Sequence, residues 1–264
     1  MRSVFVKSLY DQRRAVLGFG LGTALLVLLE CAMWPSIRSM PALDEFLANY
    51  PEAMRRLFNL QDLGTGTGFV NAELFSLLLP ILFLAFAIAR GARAVAGEEE
   101  AGTLDILLVT PVTTASLVLQ QAAALLVSVL VLGGVLYAAV MIGSVVFGLG
   151  VGASGLLAAV LATVALAVEF GWIALAVGAA RGRRAVAIGA ATVLAVGSYV
   201  LYVAGELTDA VRPWQSLSPF HQAVSGGPLG AGFQAAVLIL PLTGAALIAA
   251  ALPMFARRDI AVAH

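Results

Sequence analysis

A triplet of glutamates at 98–100 is the feature of this sequence most suited to specific chemistry. It lies in the stretch "RAVAGEEEAGTLDILLVTP", between long apolar runs, in a chain of which only 11% is charged. Leu104, Leu107 and Leu108 follow it and share one face of a short predicted helix. Carboxylates beside anionic lipid headgroups are unfavourable unless they pair with arginine or with another protein. The combination of acid and leucine therefore favours a docking surface over a plain solvated loop.

The glycine and proline of this stretch predict how its backbone is arranged. Arg90 and Arg93 share one face of a helix that continues out of the preceding apolar run. We expect Gly97 to end or bend this helix, so that the glutamates form an acidic turn. Pro111 is expected to end the short amphipathic helix that follows the turn.

A further acid, Glu169, lies near the middle of a long apolar segment, in "ALAVEFGWIAL". Placing a carboxylate at the centre of a bilayer costs about 3 kcal/mol. The side chain must therefore face a cavity or a partner, or be protonated. One interpretation makes Glu169 part of a polar translocation path or a tie between helices. The other makes it a protonated carboxyl group that is hydrogen-bonded to a neighbouring helix and has no role in transport.

Motifs for catalysis, metal binding and nucleotide binding are missing from the sequence. The two histidines, His221 and His264, form no His-x-x-x-His pair, and the chain has one cysteine. A G-x-S-x-G serine motif is also missing. Lys7, the only lysine, has no glycine near it, so the chain lacks a phosphate-binding P-loop. We expect no catalytic residue and no metal site, and the net charge of zero gives no electrostatic case for a nucleic-acid partner.

The elements that must position these residues are membrane spans. The chain has 264 residues, of which 61% are hydrophobic, and this composition is typical of a polytopic membrane protein. We predict an all-α fold with six transmembrane helices, each near the length of about 20 residues that a bilayer requires. The predicted spans are 16–34, 71–90, 118–146, 155–180, 185–204 and 234–256.

The placement of the basic residues predicts the orientation of the spans. With the N-terminus inside, eleven of the fifteen basic residues lie on the cytoplasmic side and four lie outside. The four outer residues are Arg38, Arg55, Arg56 and Arg212. Both termini are therefore predicted to be cytoplasmic, in a multi-pass protein of the cytoplasmic membrane. The connector between spans two and three, about 91–116, faces the same side.

Two outer connectors carry signals of their own. The first includes "ALDEFLANYPEAMRRLFNL" and predicts one or two short helices at the outer interface. The second, "GELTDAVRPWQSLSPFHQAVSGGPLGAG", is rich in proline and glycine. It predicts a broken or re-entrant element between spans five and six.

Glycine pairs with G-x-x-x-G spacing occur twice, at Gly18 with Gly22 and at Gly148 with Gly152. This spacing permits two helices to pack closely. Because the chain has 27 glycines, matches by chance are expected and the signal is weak.

The connector sequence resembles the signature of permeases from ATP-binding-cassette (ABC) transporters of the type 2 export class, G-E-[EK]-x-x-G-T-[LF]-[ED]-x-L-L-x-[ST]-P-[VI]. The matching positions are Gly97, Glu98, Gly102, Thr103, Leu104, Asp105, Leu107, Leu108, Thr110 and Pro111. The sequence departs from the family at Ala101, where arginine or lysine is frequent, and at Gln120 or Gln121, near which members carry a basic residue. "SLSPFHQ" resembles the family's S-P-F element, and "FARRDI" resembles its F-x-R-R-D-[LI] tail.

The resemblance implies that residues 1–264 form one permease domain without an ATPase of its own. ATP and Mg would be bound by a separate cytoplasmic ATPase subunit, expected in two copies beside a second permease copy, identical or related. Substrate would be exported between the two permeases, near spans two and five. The connector would act as a coupling helix, with its glutamates paired to arginines of the ATPase or of neighbouring helices. The implied coupling residues are Gly97, Glu98, Glu99, Glu100, Thr103, Leu104, Asp105, Leu107, Leu108, Thr110 and Pro111.

Two other functions are compatible with the residues alone. An ion- or proton-coupled secondary transporter would use Glu169 as its proton carrier. A membrane assembly factor would bind partners without moving a substrate. The first explains Glu169 but not the acidic connector.

Overall fold

Six long helices dominate the computed structural model, which describes residues 4–40, 54–55, 60–102 and 113–257. Within these ranges, six helices are long and apolar enough to cross a membrane, which confirms the predicted all-α polytopic fold. They are α1 (Val4–Ile37), α2 (Gly66–Glu100), α3 (Thr114–Phe147), α4 (Ala153–Arg181), α5 (Arg184–Leu207) and α8 (Ile239–Ala256). Two short helices, α6 (Pro219–Val224) and α7 (Pro228–Ala231), lie between α5 and α8, and a 3-10 turn at Ala235–Leu238 leads into α8. Each of the six long helices contains most or all of one predicted span.

The helices end where the backbone chemistry of the sequence requires it. The hydroxyl of Thr113 accepts a hydrogen bond from the backbone N–H of Ser116 and so caps the start of α3. Gly148 closes α3 with φ +68°, and Gly182 closes α4 with φ +67°. Glycine is favoured in this left-handed conformation because it has no Cβ. These caps produce the tight turns that make α3, α4 and α5 successive antiparallel neighbours.

Helix α4 forms the centre of the bundle. In the most apolar 18-residue stretch of α4, 78% of the residues are buried, whereas 22% are buried in the corresponding stretches of α1 and α5. It packs against α2, α3, α5 and α8, and its side chains supply much of the apolar core. The outer faces of α1 and α5 are apolar and exposed, as expected for faces that contact lipid.

A close contact between two spans joins α2 and α4 through glycines. A methyl group on Gly91 would overlap the carbonyl oxygen of Gly171. One on Gly171 would lie 2.8 Å from Leu125 and 3.0 Å from Ala87. Only small residues permit this approach of two backbones. The contact fixes the end of α2 that leads into the connector against the central helix.

The segment between α5 and α8 folds back into the bundle, as predicted. It contains a 3-10 helix at Arg212–Leu217 and two short helices, α6 (Pro219–Val224) and α7 (Pro228–Ala231). The ring of Phe220 lies 5.3 Å from that of Tyr199 on α5. Tyr199 precedes the end of α5 by eight residues, which corresponds to about 12 Å along the helix. The segment is therefore re-entrant.

The expected interfacial helices of the first outer connector lie largely outside the described residues. The described part there comprises residues 54–55 and the 3-10 turn Leu60–Asp62 that leads into α2. The "connector end" is the end of the bundle where α2 leads into the connector. The "opposite end" is the end that carries the re-entrant segment.

Candidate functional site at the connector end

The acidic triplet lies on the last turn of a helix and not in a turn after it. Helix α2 continues through Gly97, whose φ of −71° is helical, to Glu100. The residues just before the acids, Arg93–Gly97, form a π-helical turn. The first left-handed residue is Gly102, with φ +66°. The expectation that Gly97 ends or bends the helix is therefore wrong about where the helix ends, because the glycine keeps helical dihedrals.

Glu98 connects α2 to α1. Its Oε2 lies 3.5 Å from the Nζ of Lys7, which also lies 3.1 Å from a carboxylate oxygen of Asp11. The side chains of Lys7 and Glu98 keep 45% and 21% of their surface exposed. An ion pair this exposed contributes about 0–1 kcal/mol. The only lysine of the chain therefore bridges the two helices through a weak contact.

Glu100 connects α2 to α5. Its Oε1 accepts a hydrogen bond of 2.8 Å from the backbone N–H of Arg184, the first residue of α5. The residue before it, Arg183, has an extended backbone and offers no side-chain cap. A carboxylate at this place satisfies a free N–H group and also interacts favourably with the positive end of the helix dipole. Glu100 thus supplies the cap that α5 lacks in its own sequence.

The structure describes only part of the remaining predicted coupling surface. Glu99 lies half buried between the two acids just described. The other predicted coupling residues, apart from Gly97, lie outside the described residues: Thr103, Leu104, Asp105, Leu107, Leu108, Thr110 and Pro111. The coupling helix itself therefore stays a prediction. For Glu98 and Glu100, the structure provides partners within the chain that are not arginine side chains.

Two glutamines at the start of α3 attach α1 to the same site. The Oε1 of Gln120 accepts from the backbone N–H of Phe5 at 3.0 Å. The Oε1 of Gln121 accepts from the hydroxyl of Ser8 at 2.7 Å. These are the positions at which the sequence departs from the basic residue of the resembled family. The glutamines provide hydrogen bonds to α1 there.

Sequence reasoning missed the part that α1 has in this site. Val4, Ser8 and Gln12 are spaced by four residues and are all buried, so they form one face of α1. The signal was the pair of polar residues on this spacing, just before the apolar part of the helix. It predicts a helix face that packs against polar partners, whereas an interfacial helix would turn such a face to water.

Glu169 lies between α4 and α8, away from the connector acids. It is 5% exposed, and its Oε1 lies 2.5 Å from the hydroxyl oxygen of Thr243. The same hydroxyl oxygen lies 2.8 Å from the carbonyl oxygen of Leu240. Both neighbours are acceptors, but the Thr243 hydroxyl has only one hydrogen to donate. Thr243 can therefore donate to Glu169 or to Leu240, and the Oε2 of Glu169 has no hydrogen-bond partner among the described residues. The geometry is that of a tie between helices, and a role in a translocation path stays a prediction.

A polar cavity of about 490 Å³ lies at the opposite end, between the start of α2 and the end of α5. Asp62, Asn71, Tyr202 and Glu206 are among its lining residues. The amide of Gln215 donates to the Glu206 carboxylate at 2.7 Å and to the backbone carbonyl of Tyr202 at 3.0 Å. The sequence alone does not single out these residues, because they come from separate segments that meet only in the folded bundle.

Comparison with protein families identifies a match over most of the chain. The family model described as ABC-2 family transporter protein matches residues 7–260, from the start of α1 to beyond the end of α8. A search of curated proteins finds no match to the chain. Within the part of the chain that the structure describes, no group of three or more His, Cys, Asp or Glu side chains is placed to hold a metal ion.

Proposed function

Because the chain belongs to the ABC-2 family of transporter proteins, we propose that it is the permease subunit of an exporter driven by a separate ATPase. The observation that carries the proposal is the pair of acids at the base of the connector. Glu98 contacts Lys7 on α1, and Glu100 caps the start of α5. A connector on which an ATPase docks is thereby joined to three spans.

The connector end is the cytoplasmic end in this proposal. Most of the basic residues of the chain lie on that side, as the positive-inside rule requires. The ATPase subunit would bind ATP and Mg and would dock on the leucines and acids of the connector. A second permease copy, identical or related, would complete the transporter in the cytoplasmic membrane.

The contacts support a mechanism in which the connector moves several helices together. A displacement of the end of α2 acts on α1 through Lys7 and Glu98, and on α5 through Glu100. The close contact of Gly91 with Gly171 transmits it to α4. Packed helices shift as groups because their side chains interlock. ATP-driven closure of the ATPase would therefore reorient a set of spans.

The substrate path would lie beside α2 and α5. The outer face of α5 is largely exposed in the isolated chain and is free to meet a second copy. The polar cavity at the opposite end lies between these same two helices. A polar opening there suits the exit of a substrate that has crossed the apolar bundle.

Docking is tested by a charge placed on the leucine face of the connector. Leu104→Glu should abolish the co-purification of the P-loop ATPase with the tagged full-length chain. The matched control is Leu217→Glu, because Leu217 is an equally apolar residue that is 65% exposed at the opposite end. Retention of the ATPase by Leu104→Glu, or its loss from both variants, would contradict docking at the connector.

Transmission through Glu100 is tested by comparing alanine with glutamine at this position. Glu100→Ala removes the acceptor of the Arg184 N–H, whereas Glu100→Gln keeps an acceptor oxygen and loses only the charge. We expect both variants to retain the ATPase. Transport-coupled ATP hydrolysis should fall several-fold in Glu100→Ala, since a lost cap costs about 1 kcal/mol, and less in Glu100→Gln. Transport that a proton gradient drives without any ATPase would instead favour a secondary transporter.

A further inference from the structure

A second cavity, of about 560 Å³, opens at the connector end between α1, the end of α2 and the start of α3. Three cations and two carboxylates lie in its wall, together with a buried amide. These residues are Lys7, Arg90, Arg93, Asp11, Glu98 and Gln12. Neither the match to the family nor the proposed coupling assigns a role to this cavity.

The positive charge of the cavity is only partly balanced. Lys7 is neutralised by Asp11 and Glu98, at 3.1 and 3.5 Å. Among the described residues, no ion pair joins Arg90 or Arg93 to a carboxylate. The Arg90 guanidinium donates a hydrogen bond of 3.3 Å to the backbone carbonyl of Asp11. Asp11 also acts electrostatically on Arg90, and the three cations and two carboxylates leave the cavity with a net charge of +1, which favours an anion beside the two guanidinium groups.

The buried amide of Gln12 is a second, independent sign of a missing ligand. Its side chain is 7% exposed and lies in the cavity wall. Its Oε1 has no hydrogen-bond partner among the described residues. Its neighbour on the same face of α1, Ser8, already donates to Gln121. Buried acceptors almost always have a partner, so a ligand that brings a hydroxyl donor would satisfy this amide.

The position of the cavity shows where such a ligand would come from. It lies where α1 and α2 leave the apolar bundle, at the level at which lipid headgroups meet a membrane protein. Exposed apolar residues follow it along α1, including Leu17 at 70% and Leu21 at 64% exposure. The acyl chains of a lipid can lie along this face while its headgroup enters the cavity.

We propose that this cavity binds the phosphate group of an anionic phospholipid whose headgroup also carries hydroxyl groups, such as phosphatidylglycerol. Arg90 and Arg93 bind the phosphate oxygens, for which the planar guanidinium is well suited. A headgroup hydroxyl donates to Gln12. The bound lipid joins α1 to α2 beside the Lys7–Glu98 contact. The binding itself requires no ATPase, so it can be tested apart from the proposed function.

The test is native mass spectrometry of the full-length chain in detergent, titrated with phosphatidylglycerol or with phosphatidylcholine of the same acyl chains. We expect the wild type to prefer phosphatidylglycerol, and Arg90→Gln with Arg93→Gln to reduce that preference by roughly tenfold. The control variant, Arg181→Gln with Arg183→Gln, removes the same charge from two exposed arginines at the same end of the bundle. It should keep the preference of the wild type.

Two further arms keep the test decisive. Arg93 is exposed, so Arg93→Gln alone should fold normally and still weaken the binding of phosphatidylglycerol. Inorganic phosphate in excess should displace part of the bound lipid if the arginines recognise phosphate. An unchanged preference in both arginine variants, or an equal loss in the control, would overturn the proposal. Binding of inorganic phosphate without any preference for phosphatidylglycerol would overturn the lipid as its source.

Discussion

The two ends of the bundle hold their polar groups in different ways. At the opposite end, Ser218 is completely buried and Gln215 is 4% exposed, and both make hydrogen bonds to the backbone of α5. At the connector end, the ion pair of Lys7 and Glu98 is partly exposed, with 45% and 21% of the two side chains in contact with water. Buried hydrogen bonds are costly to break, whereas exposed ion pairs contribute little.

This difference indicates which end can move. The re-entrant segment lies within the depth of the spans, where every backbone group needs a partner inside the protein. Breaking its buried hydrogen bonds would therefore be costly. The exposed contacts of Glu98 and Glu100 at the connector end can break and re-form at small cost, whereas the buried hydrogen bond of Ser8 to Gln121 keeps α1 on α3. In the proposed mechanism, the exposed contacts would suit a region that is displaced when the ATPase closes, provided that the helices behind them stay packed.

The largest effect is expected from the glycine contact that anchors the connector end to the core. Gly91→Leu forces α2 away from α4, because even a methyl group would overlap the carbonyl oxygen of Gly171. We expect a loss of at least about 3 kcal/mol in the free energy of unfolding, or failure to fold. The measurement is a denaturation curve of the protein in detergent.

The matched control for this change is Gly22→Leu on α1. A Cβ at Gly22 meets nothing within 4 Å, so the unfolding of the chain should be almost unchanged. If Gly91→Leu were as stable as Gly22→Leu, the connector end would lack a rigid anchor. The contrast between mobile contacts and a packed support behind them would then be lost.

The same glycines show how far the sequence could predict the packing. The apolar runs were sufficient to predict six spans, because a bilayer requires about 20 apolar residues for each helix. The G-x-x-x-G spacing at Gly18 and Gly22 marked a face with no neighbour among the described residues, while Gly91 and Gly171 pack closely without that spacing. Close approach depends on a small residue at the matching height of the partner helix. One helix alone does not contain that information.

The candidate site was predictable to a similar extent. The acidic triplet stood out in the local sequence, since charge is rare in this chain. Its place on the last turn of α2 did not follow, because Gly97 was expected to end or bend the helix before it. The partners did not, because Lys7 lies 91 residues before Glu98, and Arg184 lies 84 residues after Glu100. The cap on α5 could not be predicted from the sequence either. The capping carboxylate of Glu100 belongs to another helix, and Arg184 contributes only its backbone N–H.

An intermediate effect is expected from the re-entrant segment. Ser218→Ala removes a hydroxyl that donates to the carbonyl of Ser198 at 2.7 Å and accepts from the backbone N–H of His221 at 3.3 Å. Loss of a buried hydrogen bond and of a helix cap should cost about 2 kcal/mol of unfolding free energy. The control Ser216→Ala alters an exposed hydroxyl in the same segment and should change stability by less than about 0.5 kcal/mol. Equal effects of the two changes would mean that the opposite end is no more rigid than the connector end.

The smallest effect on stability is expected at the ion pair of Lys7 and Glu98. A double-mutant cycle of Lys7→Gln and Glu98→Gln should give a coupling energy of about 0.2–1 kcal/mol, because the pair is partly exposed. This energy should fall as the salt concentration rises, since mobile ions screen exposed charges. If the coupling energy is well above this range and does not change with salt, the pair lies in a rigid environment from which water is excluded. The connector end would then resist displacement as the opposite end does, and α1 would be a fixed support for the connector and not a helix that moves with it.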